Sequence, residues 1–370
     1  LFQVSKHAII FVSDKHLNLS SQGPDMFQQV TNALRSCRAL FAPFVLFMIV
    51  LGGCVSAPVP APPRVISPAP HPLPNVRERR STDYVVLTAT KADTYESLAR
   101  HYLGDENLSY IISEYNKDVP ITVGKTIIIP LQPANPGGIY PDGYQTVPVL
   151  CYHRFSSKKS SDKITVSADT FDRQMAYLKN NRYTVLTLKQ FYDFIDYRRR
   201  PPNKSVLITI DDGWKTAQTI AYPILKKYGF HAVLFVNTDN IKEKQNPNSL
   251  TWEELRELKD SGLIKVESHT VTHDDLTKIS IEQLQRELKE SKQRIVSMLG
   301  ITPTAVAYPY GLFNRNTIDM MKQYGYRFGF TVIRGGNAFF FNPYALNRSM
   351  IYHSEKIEDF VTALQTFRQD

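Results

Sequence analysis

Asp211 and Asp212 stand side by side at the end of the apolar run Val206–Ile210, and Gly213 follows them. A continuous apolar run of that length fits a parallel strand buried on both faces. In parallel α/β folds the C-terminal ends of strands border the active site. Gly213 lets the chain turn sharply there, so both carboxylates can border one pocket. Two acids that close repel each other unless a cation relieves them. Ligands for such a cation occur in "SHTVTH", where His269 and His273 follow the run "LIKV" with H-x-x-x-H spacing. One carboxylate and two imidazoles leave positions open for water and substrate, as hydrolytic metal sites require. A third element, "AYPYG" at 307–311, also follows an apolar run. An aromatic–Pro–Tyr–Gly loop, here Tyr308, Pro309, Tyr310 and Gly311, can wall a sugar pocket and aim a backbone N–H at a developing oxyanion.

The elements that must position these residues lie in 147–370. Strands are expected at "VPVLCYH", "YTVLTL", "SVLITI", "HAVLFV", "LIKVES", "TAVAYP" and "FGFTVI". Between them lie helical patterns. Ser167 caps one that carries Phe171, Met175 and Leu178 on one face. "KQFYDFIDYRR" and Trp214–Tyr228 are two more. Thr251 with Glu254, and Ser280 with Gln283, form capping boxes before further helices, the second ending at Gly300. This alternation argues an α/β barrel or a doubly wound sheet.

"TIDDG", "SHTVTH" and "YPYG", in that order, resemble the first three motifs of the polysaccharide deacetylase family. Members are metal-dependent carbohydrate esterases that remove acetyl groups from N-acetylated sugars. The resemblance covers 147–370 and implies a distorted (β/α) barrel. It implies Asp211 as general base, Asp212, His269 and His273 as metal ligands, and the Tyr310 N–H at the oxyanion. Zn²⁺ suits that ligand set, and Co²⁺, Ni²⁺ or Fe²⁺ fit it too. Trp214, Tyr308, Pro309 and Arg348 are assigned to substrate binding. Two positions depart from the family pattern. Ala307 replaces the Arg that opens the third motif, and the late "L-x-H" appears as "LNR", 346–348. The opening "VLCYHRF" resembles the branch acting on poly-β-1,6-N-acetylglucosamine, where an early His supplies the acid. That implies His153 as general acid. Arg348 is expected to replace the missing Arg as a partner for Asp211.

Upstream, residues 83–131 read as strand, helix, helix, strand, with Asp93 or Thr94 as a cap and Gly124 at a turn. Tyr84, "ADTYESLA", Asn116 and "VGKTIIIP" resemble the LysM module, a small α+β domain. The resemblance implies binding of N-acetylglucosamine glycans, commonly peptidoglycan. Proline-rich spacers are expected at 54–82 and 132–146. Residues 1–53 form a signal region. Within 26–53, Arg35 and Arg38 precede an apolar run, Ala39–Val50, shorter than the ~20 residues of a membrane span. "LGGC" resembles a lipoprotein cleavage box, which implies lipid on Cys54. Val55 after it permits sorting to an outer membrane, and so a periplasmic location. Of three cysteines, Cys37, Cys54 and Cys151, only Cys151 would keep a free thiol, so no intrachain disulfide is expected.

The net charge is +9, but the dense basic runs are only "RERR" (77–80) and "RRR" (198–200). Neither builds a recognition element, which excludes a nucleic-acid partner. The leading reading is a deacetylase of N-acetylglucosamine polysaccharide, either poly-β-1,6-N-acetylglucosamine or peptidoglycan. The other is a wall-binding lipoprotein with a degenerate, non-catalytic deacetylase domain.

Overall fold

The computed structural model describes residues 77–132, 135–158, 160–241 and 246–369. These belong to one compact unit beginning at Pro72. The signal region, Cys54 and the spacer up to residue 76 lie outside the described residues. Among the described residues no helix is long and apolar enough to cross a membrane.

The smaller part is a three-stranded antiparallel sheet. Tyr84–Thr88 lies between Glu78–Arg80 and Thr126–Pro130. Alternation places Val85 and Leu87 inward, opposite Ile127 and Ile129. The helices Tyr95–Leu103 and Ser109–Tyr115 cover this face with Leu98, Ala99 and Ile112. Of the two candidate caps, Thr94 serves: its hydroxyl accepts from Ser97 N. Asp93 instead accepts from Thr90 and Arg77. Asn116 joins helix to sheet, its amide donating to Ile112 O and Ile128 O while its oxygen accepts from Ile128 N.

Both expected spacers are partly folded. Glu78–Arg80 is an edge strand. Ile139–Tyr140 and Gly143–Gln145 form a hairpin that pairs with Phe367–Arg368. The smaller part rests on the larger one through three contacts. Tyr110 Oη donates to Arg200 O at 2.7 Å, Asn203 N donates to Glu114 Oε1 at 3.2 Å, and Arg200 pairs with Glu114.

The larger part is a curled, mainly parallel sheet. Its central order is Val147–Tyr152, Ser205–Ile210, Ala232–Val236, Ile264–Ser268, Ala305–Ala307, Phe328–Phe330. These runs are apolar throughout because both faces are covered. Val206, Ile208, Ile210, Leu234 and Val266 pack in one cluster with the helix Ala168–Asn180. Val149, Leu207, Val233, Phe235, Ala305 and Phe330 pack in another with the helix Leu188–Ile195.

The segment after Tyr344 links the two ends of the sheet. Leu346 N donates to Gly329 O and Thr331 N to Leu346 O, both at 2.8 Å. Ser349–Met350 then pairs in parallel with Leu150 and Cys151. The strand expected at "YTVLTL" is only Thr184–Val185, beside Ser205–Val206. The helix expected from Trp214 begins at Ala217, because the turn after Asp211 occupies the residues before it. Thr251 and Ser280 cap their helices as the sequence indicates.

Candidate active site

The strand Ser205–Ile210 ends at Asp211, and the chain then turns through two left-handed residues, Asp212 (φ 76°) and Gly213 (φ 77°). Asp tolerates that region better than most residues. At Gly213 a Cβ would stand 2.6 Å from Ile241 Cδ1, so a larger residue would have to displace that methyl and also bear the positive φ. The turn lets adjacent carboxylates meet different partners in one site.

Asp211 is buried. Its Oδ1 accepts from Arg348 Nη1 at 2.7 Å, and its Oδ2 lies 3.5 Å from Cys151 Sγ. Burial pushes its carboxyl up, but the Arg348 charge, then the nearby imidazoles, hold it below the ordinary value. Arg348 is itself fully buried, with Nε donating to Thr331 O at 2.8 Å. The same burial pushes the Cys151 thiol well up, so it stays neutral.

Asp212 has no fixed cation. Its Oδ2 accepts from Trp214 Nε1 at 2.8 Å. Its Oδ1 faces His269 Nε2 at 3.5 Å and His273 Nε2 at 3.7 Å. The three donor atoms lie within 4.8 Å of one another. His269 Nδ1 is 2.7 Å from Ala307 O, so that nitrogen carries the proton and Nε2 offers its lone pair. Burial lowers the His269 pKa, but the charges of Asp211 and Asp212 more than offset it and hold the ring above its ordinary value. That potential favours a cation between the carboxylates and the rings. Burial, then His269, pushes His273 down. Nitrogen, nitrogen and carboxylate oxygen are a donor set suited to Zn²⁺ and similar ions, and these residues fit one.

His153 leaves the strand Val147–Tyr152 beside Asp211. Cys151, His153 and Asp211 also bring their donor atoms within 4.8 Å. Its Nδ1 is buried and has no partner among the described residues. Burial holds the ring below its ordinary pKa, against the pull of both aspartates.

Tyr310 stands at the rim with φ 57°, its side chain 63% exposed and its ring 4.8 Å from that of His273. Its N–H takes no part in the two backbone bonds that close the turn, Gly311 N to Tyr308 O and Leu312 N to Pro309 O.

Three of the four residues assigned to substrate binding do not face solvent. Tyr308 is buried against Phe313, and its hydroxyl donates to Tyr344 O at 2.9 Å. Pro309 is buried in the turn. Arg348 lies beneath Asp211. Trp214 is partly exposed, but the Arg154 guanidinium covers its ring at 3.8 Å. These two residues line a cleft of about 540 Å³ with Thr165, Thr216 and Asn248.

Sequence reasoning passed over Cys151 and two buried acids, Glu267 and Glu287. Glu267 Oε2 accepts from Thr304 N and Ala305 N at 2.7 and 2.9 Å, and burial pushes its carboxyl up to about 7. It thereby braces the strand whose Ala307 carbonyl orients His269. An acid placed two residues before a ligand histidine in a buried strand was the available signal.

The chain is similar to several known proteins. Residues 198–329 match the family model described as Polysaccharide deacetylase. YxkH of Bacillus subtilis (strain 168), which bears a polysaccharide deacetylase name, is 35% identical over 202 residues, or 55% of this chain and 70% of its own length. The poly-beta-1,6-N-acetyl-D-glucosamine N-deacetylase of Staphylococcus aureus (strain MRSA252) is 31% identical over 188 residues. That match covers 48% of this chain and 64% of the staphylococcal protein. The solved structure of the Streptococcus pyogenes deacetylase PplD in complex with acetate matches at 28% identity and a TM-score of 0.56. It covers 60% of this chain and 98% of that one.

Proposed function

The chain belongs to the polysaccharide deacetylase family, hydrolases of amide bonds, and from that premise we propose that it removes N-acetyl groups from N-acetylglucosamine polysaccharide in a metal-dependent reaction. The observation that carries the reading is the convergence of Asp212, His269 and His273 beside an Asp211 already paired to Arg348. A non-catalytic binder has no need of such a vicinal pair. The absent Arg at position 307 and the absent late His had favoured that alternative. The Arg348–Asp211 contact weakens it, since an arginine does meet the aspartate, from another place in the chain.

What a divalent ion supplies when held by Asp212, His269 and His273 is polarisation of the acetamide carbonyl and acidification of water. Asp211, kept charged by Arg348, takes a proton from the attacking water. The Tyr310 N–H donates to the oxygen that gains charge as the C–O bond forms. His153 gives its proton to the nitrogen as the C–N bond breaks. Acetate leaves, and the polysaccharide keeps a free amine on that sugar.

Poly-β-1,6-N-acetylglucosamine is the first substrate to test, because the staphylococcal relative bears that name and the chain opens its catalytic part with "YHRF". Peptidoglycan is the second, on the resemblance of residues 83–131 to LysM. In this reading that module holds the enzyme to the wall. A lipid on Cys54 tethers it on the periplasmic side of the outer membrane.

The test is acetate release from oligomers of each linkage. Purified protein is chelated and then given Zn²⁺, Co²⁺ or Ni²⁺. Release should stop on chelation, return with metal, and fall to background in a D212A/H269A variant. A protein that binds no divalent ion and frees no acetate from either polymer refutes the reading.

A further inference from the structure

Glu287 is a buried charge that no step above uses. It lies mid-way along the helix Ile281–Leu299 and is fully buried. Its partners all come from the two residues centred between His269 and His273. Val271 N and Thr272 N donate to Oε2 at 2.8 and 2.9 Å, and Thr272 Oγ1 donates to Oε1 at 2.9 Å. No cation is among these partners. One helical turn on, Ser291 Oγ lies 2.9 Å from Ser268 Oγ, which in turn accepts from Thr270 N. Residues 287 and 291 share a helix face, so one face reads the whole loop.

That loop needs holding. Thr270 and His273 both have φ 69°, a region that non-glycine residues, and β-branched ones above all, rarely occupy. On the side of the preceding strand, its carbonyls are fixed by backbone: Thr238 N donates to Thr270 O and Asp239 N to Val271 O. On the helix side, the Val271 and Thr272 amides meet Glu287. The conformation so fixed turns both imidazole Nε2 atoms toward Asp212.

We propose that Glu287 is a positioning residue for the metal centre, which holds the His269–His273 loop in its left-handed course and adds negative charge to the field that draws in a divalent cation. The proposal rests on the metal-dependent reading above. It assigns two roles that substitution can separate. Glu287→Gln keeps the volume and an oxygen for the loop amides but removes the charge, while Glu287→Ala removes both.

The experiment measures Zn²⁺ affinity of the metal-free, full chain by competition with a chromogenic chelator, alongside the visible spectrum of the Co²⁺ form. Glu287→Ala should weaken Zn²⁺ binding by about 10–100-fold and alter the Co²⁺ bands, with kcat recovering when metal is in excess. Glu287→Gln should lie between it and the unsubstituted protein. If Glu287→Ala does not fold, Glu287→Gln and Thr272→Val carry the test, since each spares most of the contacts. Lower thermal stability with unchanged Zn²⁺ affinity and unchanged Co²⁺ bands would assign Glu287 to the fold alone and overturn the proposal. Absence of metal uptake by the unsubstituted protein overturns the functional reading as well. Normal uptake by both proteins overturns this inference only.

Discussion

The inner wall of the site holds a buried aspartate and its outer rim a half-buried one, and they balance the charge differently. On the wall, Asp211 meets a guanidinium that the fold itself supplies, with a neutral thiol beside it. On the rim, Asp212 meets an indole N–H and two imidazoles, none of which carries a permanent charge. The side chains are 2% and 13% exposed, so neither charge can lean on solvent. On the wall the Asp211 charge is already balanced as folded. On the rim no fixed charge among the described residues balances Asp212, and the proposed mechanism has a divalent cation do so. In the proposed mechanism the difference separates a base that must stay charged from a ligand set that must accept an ion.

The largest effect should come from breaking the wall. Arg348→Met leaves Asp211 buried and unpaired, which costs about 3–5 kcal/mol of stability. The Asp211 carboxyl then rises toward protonation and activity is lost with it. Denaturant unfolding of Arg348→Met and of Asp211→Asn/Arg348→Met checks this. The double variant should recover most of the loss, because no charge is left behind. An Arg348→Met protein as stable as the parent would erase the contrast between wall and rim.

The wall was also the harder part to read. The rim ligands lie within single motifs, where spacing is local and the strand before them is evident. The Arg348 pair joins positions 137 residues apart, through a strand of two residues, Ser349–Met350, so it was expected only as a stand-in for the Arg missing from the third motif, with no alternation to reveal it. The caps at Thr94, Thr251 and Ser280 were legible because their partners sit three residues on. Tyr308 was misplaced for a reason the sequence did contain. Ala305 and Ala307 face the inner cluster, so the period of two sends Val306 and Tyr308 to the opposite one. A motif-level reading overrode that parity. The strand at 78–80 carries "ERR", and such charge at a sheet edge reads as linker until its pairing is seen.

His153 offers the next test, because it stands at the wall and, in the proposed mechanism, serves the leaving group. His153→Ala should lower kcat by about 10²–10⁴-fold and leave Zn²⁺ affinity unchanged. The pH profile adds a sign. Burial holds the ring below its ordinary pKa, and the acid role needs the protonated form. The competent fraction therefore falls as pH rises through that lowered value. The limb of kcat/KM that declines with rising pH should vanish in His153→Ala. A variant that keeps both the rate and the limb removes His153 from the reaction. A variant that loses metal instead would move it from wall to rim.

The smallest effect should come from the hydrogen bond that fixes Asp212 on the rim. Trp214→Phe removes the indole N–H that holds Asp212 Oδ2 but keeps an aromatic face beneath Arg154. If the rim is a ligand set oriented for an ion, losing that donor should weaken Zn²⁺ binding by about tenfold, the low end for a group that orients a ligand. The rate at saturating metal should stay within about twofold, because Asp211 and His153 are untouched. If the rate falls at saturating metal while Zn²⁺ affinity holds, Trp214 acts on substrate through its cleft with Arg154. The division between a wall that does proton chemistry and a rim that only holds an ion would then need redrawing at this residue.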